Sequence, residues 1–135
     1  MVEIDKTLQV RADLDGGSLS SAEVPQLLAA LRELTGASYI WQLTSSRRAA
    51  TDTRTQTLTF VPMALGAGGL PALFIDLDAI SRRLLGASIR ARCSDEAQYT
   101  LLSRVLAWLT RCYPGLEEVS GGGSAARGLG GAAQA

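Results

Sequence analysis

The sequence predicts an α+β fold with the ferredoxin-like βαββαβ order, followed by an additional long C-terminal helix packed on or beside a four-stranded, mostly antiparallel sheet. Three observations lead to this prediction. Four segments alternate apolar and polar residues, which is typical of strands with one buried face. Other segments place apolar residues three or four apart, which is typical of helices that cover a sheet. Turn-forming residues separate the segments.

The first half of the chain supplies a strand, a helix and a hairpin. Glu3–Leu14 alternates strictly apart from its lysine, which predicts the first strand. Ser20–Glu23 has the pattern of a capping box and begins the first helix, and Gly36 ends that helix in the usual left-handed position. Ala37–Thr44 and Asp52–Val61 are predicted to be the second and third strands, paired as a hairpin.

The second half is less regular. Ala72–Ile75 is an apolar run too short for periodicity to decide between a strand and a helix lead-in, and a strand there makes the sheet five-stranded. A short helix is predicted to begin at Asp76 or Asp78, each able to cap it, and to continue through Leu85. Ala87–Cys93 alternates again and is predicted to be the fourth strand.

The last helix is predicted over Ser94–Tyr113, with Ser94 as its cap and Pro114 after its end. It carries two apolar stripes, which together are wider than the ~100° arc that one sheet face covers. The surplus predicts a contact surface for a protein partner or for a second copy of the chain, as a homodimer. The residues predicted for this surface are Leu101, Val105, Trp108, Leu109 and Cys112 on the helix, with Arg90 and Arg92 on the open sheet face.

The composition predicts one domain over residues 1–120 and a disordered Gly/Ala-rich tail or linker over residues 121–135. The acidic N-terminus lacks the basic start and apolar run of a signal peptide, and no apolar stretch is long enough for a membrane span. Cys93 and Cys112 lie at opposite ends of the last predicted helix, ~30 Å apart, so they cannot form a disulfide with each other. These observations indicate a cytoplasmic protein.

The candidate catalytic and metal sites are incomplete. The chain has no histidine, so the commonest general base and metal ligand is missing. Asp13–Glu23 resembles an EF-hand loop, but it is one residue short and lacks an acidic ligand, so a strand-to-helix turn is favoured over calcium. Asp76 and Asp78 follow an apolar run, as in some phosphoryl-transfer sites, but the lysine and the large domain of such sites are missing. No catalytic residue, metal or cofactor is predicted.

The charges balance at thirteen basic and thirteen acidic residues, which argues against a nucleic-acid partner. The leading hypothesis is therefore a non-enzymatic protein-interaction or regulatory module. It oligomerises or docks a partner through the C-terminal helix or the open sheet face. The alternative is a small-ligand-binding domain or minor enzyme that uses Asp76, Asp78 and nearby arginines. A third hypothesis, an arginine-dependent contact with nucleic acid, is weaker because the open face lacks obvious aromatic residues for stacking.

Overall fold

The computed structural model describes residues 2–11, 17–48, 53–63 and 69–119. In these ranges the strands are β1 (Val2–Val10), β2 (Tyr39–Arg48), β3 (Thr53–Pro62), β4 (Ala72–Asp78), β5 (Leu84–Cys93) and β6 (Leu116–Glu118). The helices are α1 (Val24–Thr35), preceded by a 3₁₀ turn at Ser21–Glu23, and α2 (Glu96–Cys112). The predicted tail, residues 121–135, lies outside the described residues.

The six strands form one antiparallel sheet in the order β2-β3-β4-β5-β1-β6. Alternation sets the register, because each strand must turn its apolar set to the same face. Leu58 in β3 lies between Leu43 in β2 and Ile75 in β4. Leu8 in β1 lies opposite Ala87 in β5. The predicted hairpin of the second and third strands is present as β2 and β3.

The core lies between one face of this sheet and the two helices. Phe60, Ile75 and Ile89 are fully buried on that face. The second layer is formed by α1, with Leu31 at its centre, and by α2, with Leu109 at its centre. We call this side the helix face and the opposite side the open face. The open face carries Thr57, Thr59, Phe74, Asp76, Ser88, Arg90 and Arg92, which alternate with the buried residues of their strands.

The ferredoxin-like prediction, with its four- or five-stranded sheet and additional long C-terminal helix, is wrong. The sheet has six strands. Where a short helix was predicted to run through Leu85, the chain forms the end of β4, a turn and the start of β5. Helix α2 has 17 residues and is followed by β6, which pairs with β1. The molecule is thus mainly an antiparallel sheet, covered on one side by two helices.

A single aspartate explains why a helix was predicted where a turn occurs. The Asp78 Oδ1 atom accepts hydrogen bonds from the backbone N–H groups of Ile80 and Ser81, at 2.9 and 2.8 Å. A helix N-cap makes the same kind of bond to residues two or three positions ahead. The local chemistry of Asp78 therefore suits both structures. The turn prevails here because β4 and β5 then pair with each other.

The same turn contains Arg82, a non-glycine residue in the left-handed region with a φ of 63°. Its backbone carbonyl accepts a hydrogen bond from the Leu19 N–H at 3.1 Å. Its side chain reaches back: Nε donates to the Leu19 carbonyl at 3.3 Å, and a terminal guanidinium nitrogen donates to Gln56 Oε1 at 3.1 Å. Arg82 thus joins the β4–β5 turn to β3 and to the segment before α1.

The helix ends follow the sequence closely. The Ser20–Glu23 capping box is confirmed, and the Ser20 N–H donates to Glu23 Oε2 at 3.0 Å. Helix α1 ends at Gly36, whose φ of 76° suits glycine. The cap of α2 is Asp95 rather than the predicted Ser94, because the Asp95 carboxylate accepts a backbone N–H of the first turn at 2.9 Å.

Candidate interaction surfaces

The contact surface predicted on α2 is largely occupied by the fold itself. Val105 and Leu109 are fully buried in the core. Leu101 and Trp108 are half-buried, and Trp108 packs against the core from its margin. Cys112 is exposed. The two stripes of α2 are wide because the helix packs against both β5 and α1. The exposed remainder of this surface stays a prediction.

A groove between the two helices shows the surroundings of Trp108 and Cys112. It has a volume of about 370 Å³ and brings Trp108 and Cys112 of α2 to the side of α1. Its other lining residues are Glu23, Gln26, Leu27, Ala30 and Tyr113. Trp108 therefore faces α1 rather than an empty surface.

The predicted position of Arg90 and Arg92 on the open face agrees with the structure. Both are exposed and alternate with buried residues of β5. Arg90 lies opposite Asp5 in β1, and its guanidinium approaches the Asp5 carboxylate at 3.4 Å. It also lies over the Phe74 ring, 5.5 Å from the centroid, in a cation–π contact. Arg92 lies opposite Glu3 in the register. The open face therefore balances its basic residues internally.

Phe74 is an aromatic residue of the open face that the sequence did not assign. The Ala72–Ile75 run could not be oriented until β4 was known to continue to Asp78. Leu73, Ile75 and Leu77 then share the buried face, which turns Phe74 outward. This alternation was the signal that could have found it.

Asp76 and Asp78 lie on β4 without forming a pocket together. The exposed Asp76 accepts a hydrogen bond from the Thr57 hydroxyl at 2.8 Å. Asp78 holds the turn after β4, and the backbone N–H groups of that turn lower its pKa. The three described grooves are lined by other residues. Both aspartates therefore make structural hydrogen bonds, and they do not line a described groove together.

Among the described residues, no group of three or more histidine, cysteine, aspartate or glutamate side chains is placed to hold a metal ion. The EF-hand resemblance rested on Asp13, Asp15 and Glu23. Asp13 and Asp15 lie outside the described residues. Glu23 is engaged in the capping box with Ser20, as the strand-to-helix interpretation expected.

Two cysteines and two tyrosines have raised pKa values, which favours their neutral forms. Burial raises the pKa of the Cys93 and Cys112 thiols, which disfavours the nucleophilic thiolate. Burial also raises the pKa of Tyr113, and nearby Glu23 adds to this effect. For Tyr39, burial raises the pKa to about 12 against an opposing hydrogen bond with Thr35. None of these shifts prepares a group for acid–base work near neutral pH.

Several exposed apolar side chains of the described residues lie instead at the β2 end of the sheet. Ile40 and Trp41 are 49% and 47% exposed, and Leu43 is 37% exposed. Met63, directly after β3, is also exposed. Trp41 and Leu43 belong to the helix face, but the helices do not cover them. Ile40 belongs to the open face, so apolar surface lies on both sides of this strand.

Next to this strand, α1 leaves a groove of about 570 Å³. The groove lies between α1 and the start of β2, and its lining mixes apolar, basic and acidic side chains. Its lining residues are Leu28, Ala29, Arg32, Glu33, Ser38 and Tyr39.

β2 is the first strand in the sheet order, so no described strand pairs with the outer side of its backbone. The Met63 N–H donates to the Ser38 carbonyl at 2.9 Å, which makes these two a hydrogen-bonded pair. Hydrogen-bonded and non-hydrogen-bonded pairs alternate along an antiparallel ladder. Pro62, which has no N–H, accordingly lies opposite Tyr39. The residues whose backbone groups point away from β3 are Tyr39, Trp41, Leu43, Ser45 and Arg47.

No protein-family model, curated protein or solved structure matches this chain. Neither described helix is both long and apolar enough to cross a membrane.

Proposed function

We propose that this chain is a non-enzymatic protein-interaction module that binds an extended protein segment along the free edge of β2. The observation that carries the proposal is this long edge, which has unpaired backbone groups and exposed Ile40, Trp41 and Leu43 beside them. A strand added to a sheet edge gains affinity from backbone hydrogen bonds and specificity from alternate side chains.

Before its last two residues, Arg47 and Arg48, the β2 edge lacks the features that keep sheet edges single. Proteins protect long edges with lysine, proline, inward charges or bulges. Residues 38–46 contain no charged residue and no proline. The ten residue pairs between β2 and β3 run without a register shift, so the pleat of β2 is regular. An edge with these properties is suited to accept another strand.

Two further observations support a role without catalysis and in the cytoplasm. The Asp76 and Asp78 carboxylates are engaged with Thr57 and with the turn after β4. Cys93 and Cys112 are free thiols, which suits a reducing compartment. The cytoplasmic location remains part of the proposal.

The test uses random nonapeptides displayed on phage and selected against the full chain. Selected peptides are then made synthetically, and their binding is measured against wild type, Trp41→Lys and Val2→Lys. Val2 is a matched control, because it is an apolar strand residue with 52% exposure. It lies on β1, four strands from β2 and therefore about 19 Å away.

The expected result is that selected peptides shift the amide resonances of Trp41, Leu43 and Ser45. Their affinity falls about tenfold or more in Trp41→Lys and is unchanged in Val2→Lys. Peptides that bind with the same affinity to Trp41→Lys, or that shift resonances only elsewhere, would contradict the proposal.

A further inference from the structure

We infer that a second copy of this chain occupies the β2 edge, with the two β2 strands antiparallel about a two-fold axis at Gln42. This inference rests on the proposed function and names the partner. The two six-stranded sheets then form one continuous sheet. Four features favour this dimer: the two edges of the sheet, the charge of β2, the spacing of its outward backbone groups and the area that the contact covers.

The two edges of the sheet are very different, which favours a closed dimer. One edge is β2, with 10 residues. The other edge is made of β6, with 3 residues, and of the first half of β1, because β6 pairs with β1 only at residues 8–10. This edge carries five charged residues, Glu3, Asp5, Lys6, Glu117 and Glu118. Charged residues protect a sheet edge from pairing, so head-to-tail growth of the sheet is disfavoured. Pairing of β2 with itself uses the same surface twice and ends the assembly at two copies.

The charge pattern permits two copies to meet. The whole chain has a net charge of zero, so two copies do not repel each other at long range. Residues 38–46 carry no charge, so a two-fold axis in this segment brings no like charges together. The groove beside β2 contains both Arg32 and Glu33, a mixture that is compatible with a second identical surface.

The free backbone groups restrict the register. Tyr39, Trp41, Leu43 and Ser45 must pair with one another across the axis, because only odd-numbered residues point their N–H and C=O groups outward. With the axis at Gln42, Trp41 of each copy lies opposite Leu43 of the other. Each exposed indole is then covered by an exposed leucine, and Ile40 is covered by Thr44. Gln42 lies opposite its own copy, as a non-hydrogen-bonded pair.

The area reaches the lower limit of a specific contact. Nine paired residues make an edge ~30 Å long, and the sheet is ~20 Å deep where α1 lies beside the start of β2. Each copy then covers at most on the order of 600 Å², which gives a total near the ~1,200 Å² lower limit of specific interfaces.

The first experiment measures the mass of the full chain in solution by analytical ultracentrifugation from 1 to 200 μM. The expected mass for wild type and Val2→Lys is twice the 14.2 kDa of one chain. Trp41→Lys is expected to raise the dimer dissociation constant about a hundredfold, because a charge replaces the central anchor. A monomeric wild type, or a dimer unaffected by Trp41→Lys, overturns the inference.

The second experiment tests the register in a background with Cys112→Ser, which removes the exposed native thiol. Cα atoms of a non-hydrogen-bonded antiparallel pair are ~4.5 Å apart, which a disulfide can bridge. Gln42→Cys is therefore expected to form a covalent dimer under mild oxidation. Thr44→Cys is expected to stay monomeric on a non-reducing gel, because its two copies are ~13 Å apart along the strands. Cross-linking at position 44 alone overturns the register.

The outcomes separate this inference from the proposed function. If wild type is a monomer but selected peptides still bind at Trp41, the inference about the second copy fails and the peptide-docking function stands. If neither dimer nor peptide uses the β2 edge, both fail.

Discussion

Tyr39 provides a sharp test of the packing beside the β2 edge. Its hydroxyl is buried and donates to the Pro71 carbonyl at 2.6 Å. Tyr39→Phe removes the donor and leaves that carbonyl without this partner. The free energy of unfolding at pH 8 is therefore expected to fall by about 1–2 kcal/mol.

The same variant has a predictable pH dependence. The pKa of Tyr39 is about 12 in the folded chain, against the usual tyrosine value of 10.0. The folded pKa is the higher one, so Tyr39 stabilises the fold fully below pH 10, and this stabilisation is lost as pH rises towards 12. Between pH 9 and pH 11 the loss is about 1 kcal/mol. Tyr39→Phe lacks this loss, so its stability is expected to approach that of wild type at pH 11.

Urea unfolding at a series of pH values, followed by tryptophan fluorescence, measures both effects. Tyr99→Phe is the control, because Tyr99 is 41% exposed on α2. The control is expected to match wild type at each pH. A stability gap between wild type and Tyr39→Phe that stays constant from pH 8 to pH 11 would refute the assigned burial of the Tyr39 hydroxyl.

Two further predictions concern α2. Asp95→Ala removes the side chain that accepts the Gln98 N–H at 2.9 Å. Its free energy of unfolding in urea is expected to fall by about 1 kcal/mol, whereas Asp95→Asn is expected to keep most of the stability of wild type. Equal losses in both variants would contradict the cap. A colorimetric thiol reagent is expected to modify one cysteine in the native chain, the exposed Cys112, and two in denaturant, because Cys93 is 1% exposed. Rapid modification of both thiols in the native chain would contradict the burial of Cys93.

The elements that could be predicted are those whose signals are local. Alternation placed β1 and the β2–β3 hairpin, and the Ser20–Glu23 box placed the start of the first helix. The β4–β5 hairpin was missed because Asp78 makes the same hydrogen bonds in a turn as at a helix cap. Ile80 falls within the predicted helix, but in the structure it is 85% exposed in the turn.

The β2 edge could not have been found from local sequence. The sequence predicts Trp41 and Leu43 as core residues, because their spacing matches that of any strand with one buried face. Their exposure depends on which strand lies outermost and on where α1 and α2 end. Both are long-range properties of the sheet order, which the alternation of a single strand does not contain.

Arg82 has a consequence for the order in which the chain folds. A left-handed non-glycine residue costs on the order of 1 kcal/mol. Inside the turn the Arg82 N–H donates to the Asp78 carbonyl, but the side-chain hydrogen bonds of Arg82 go to Leu19 and Gln56, which are distant in sequence. The isolated β4–β5 hairpin therefore lacks these bonds. We expect its turn to become stable only after β3 and the segment before α1 have assembled, so this hairpin is a late event in folding and a poor nucleus.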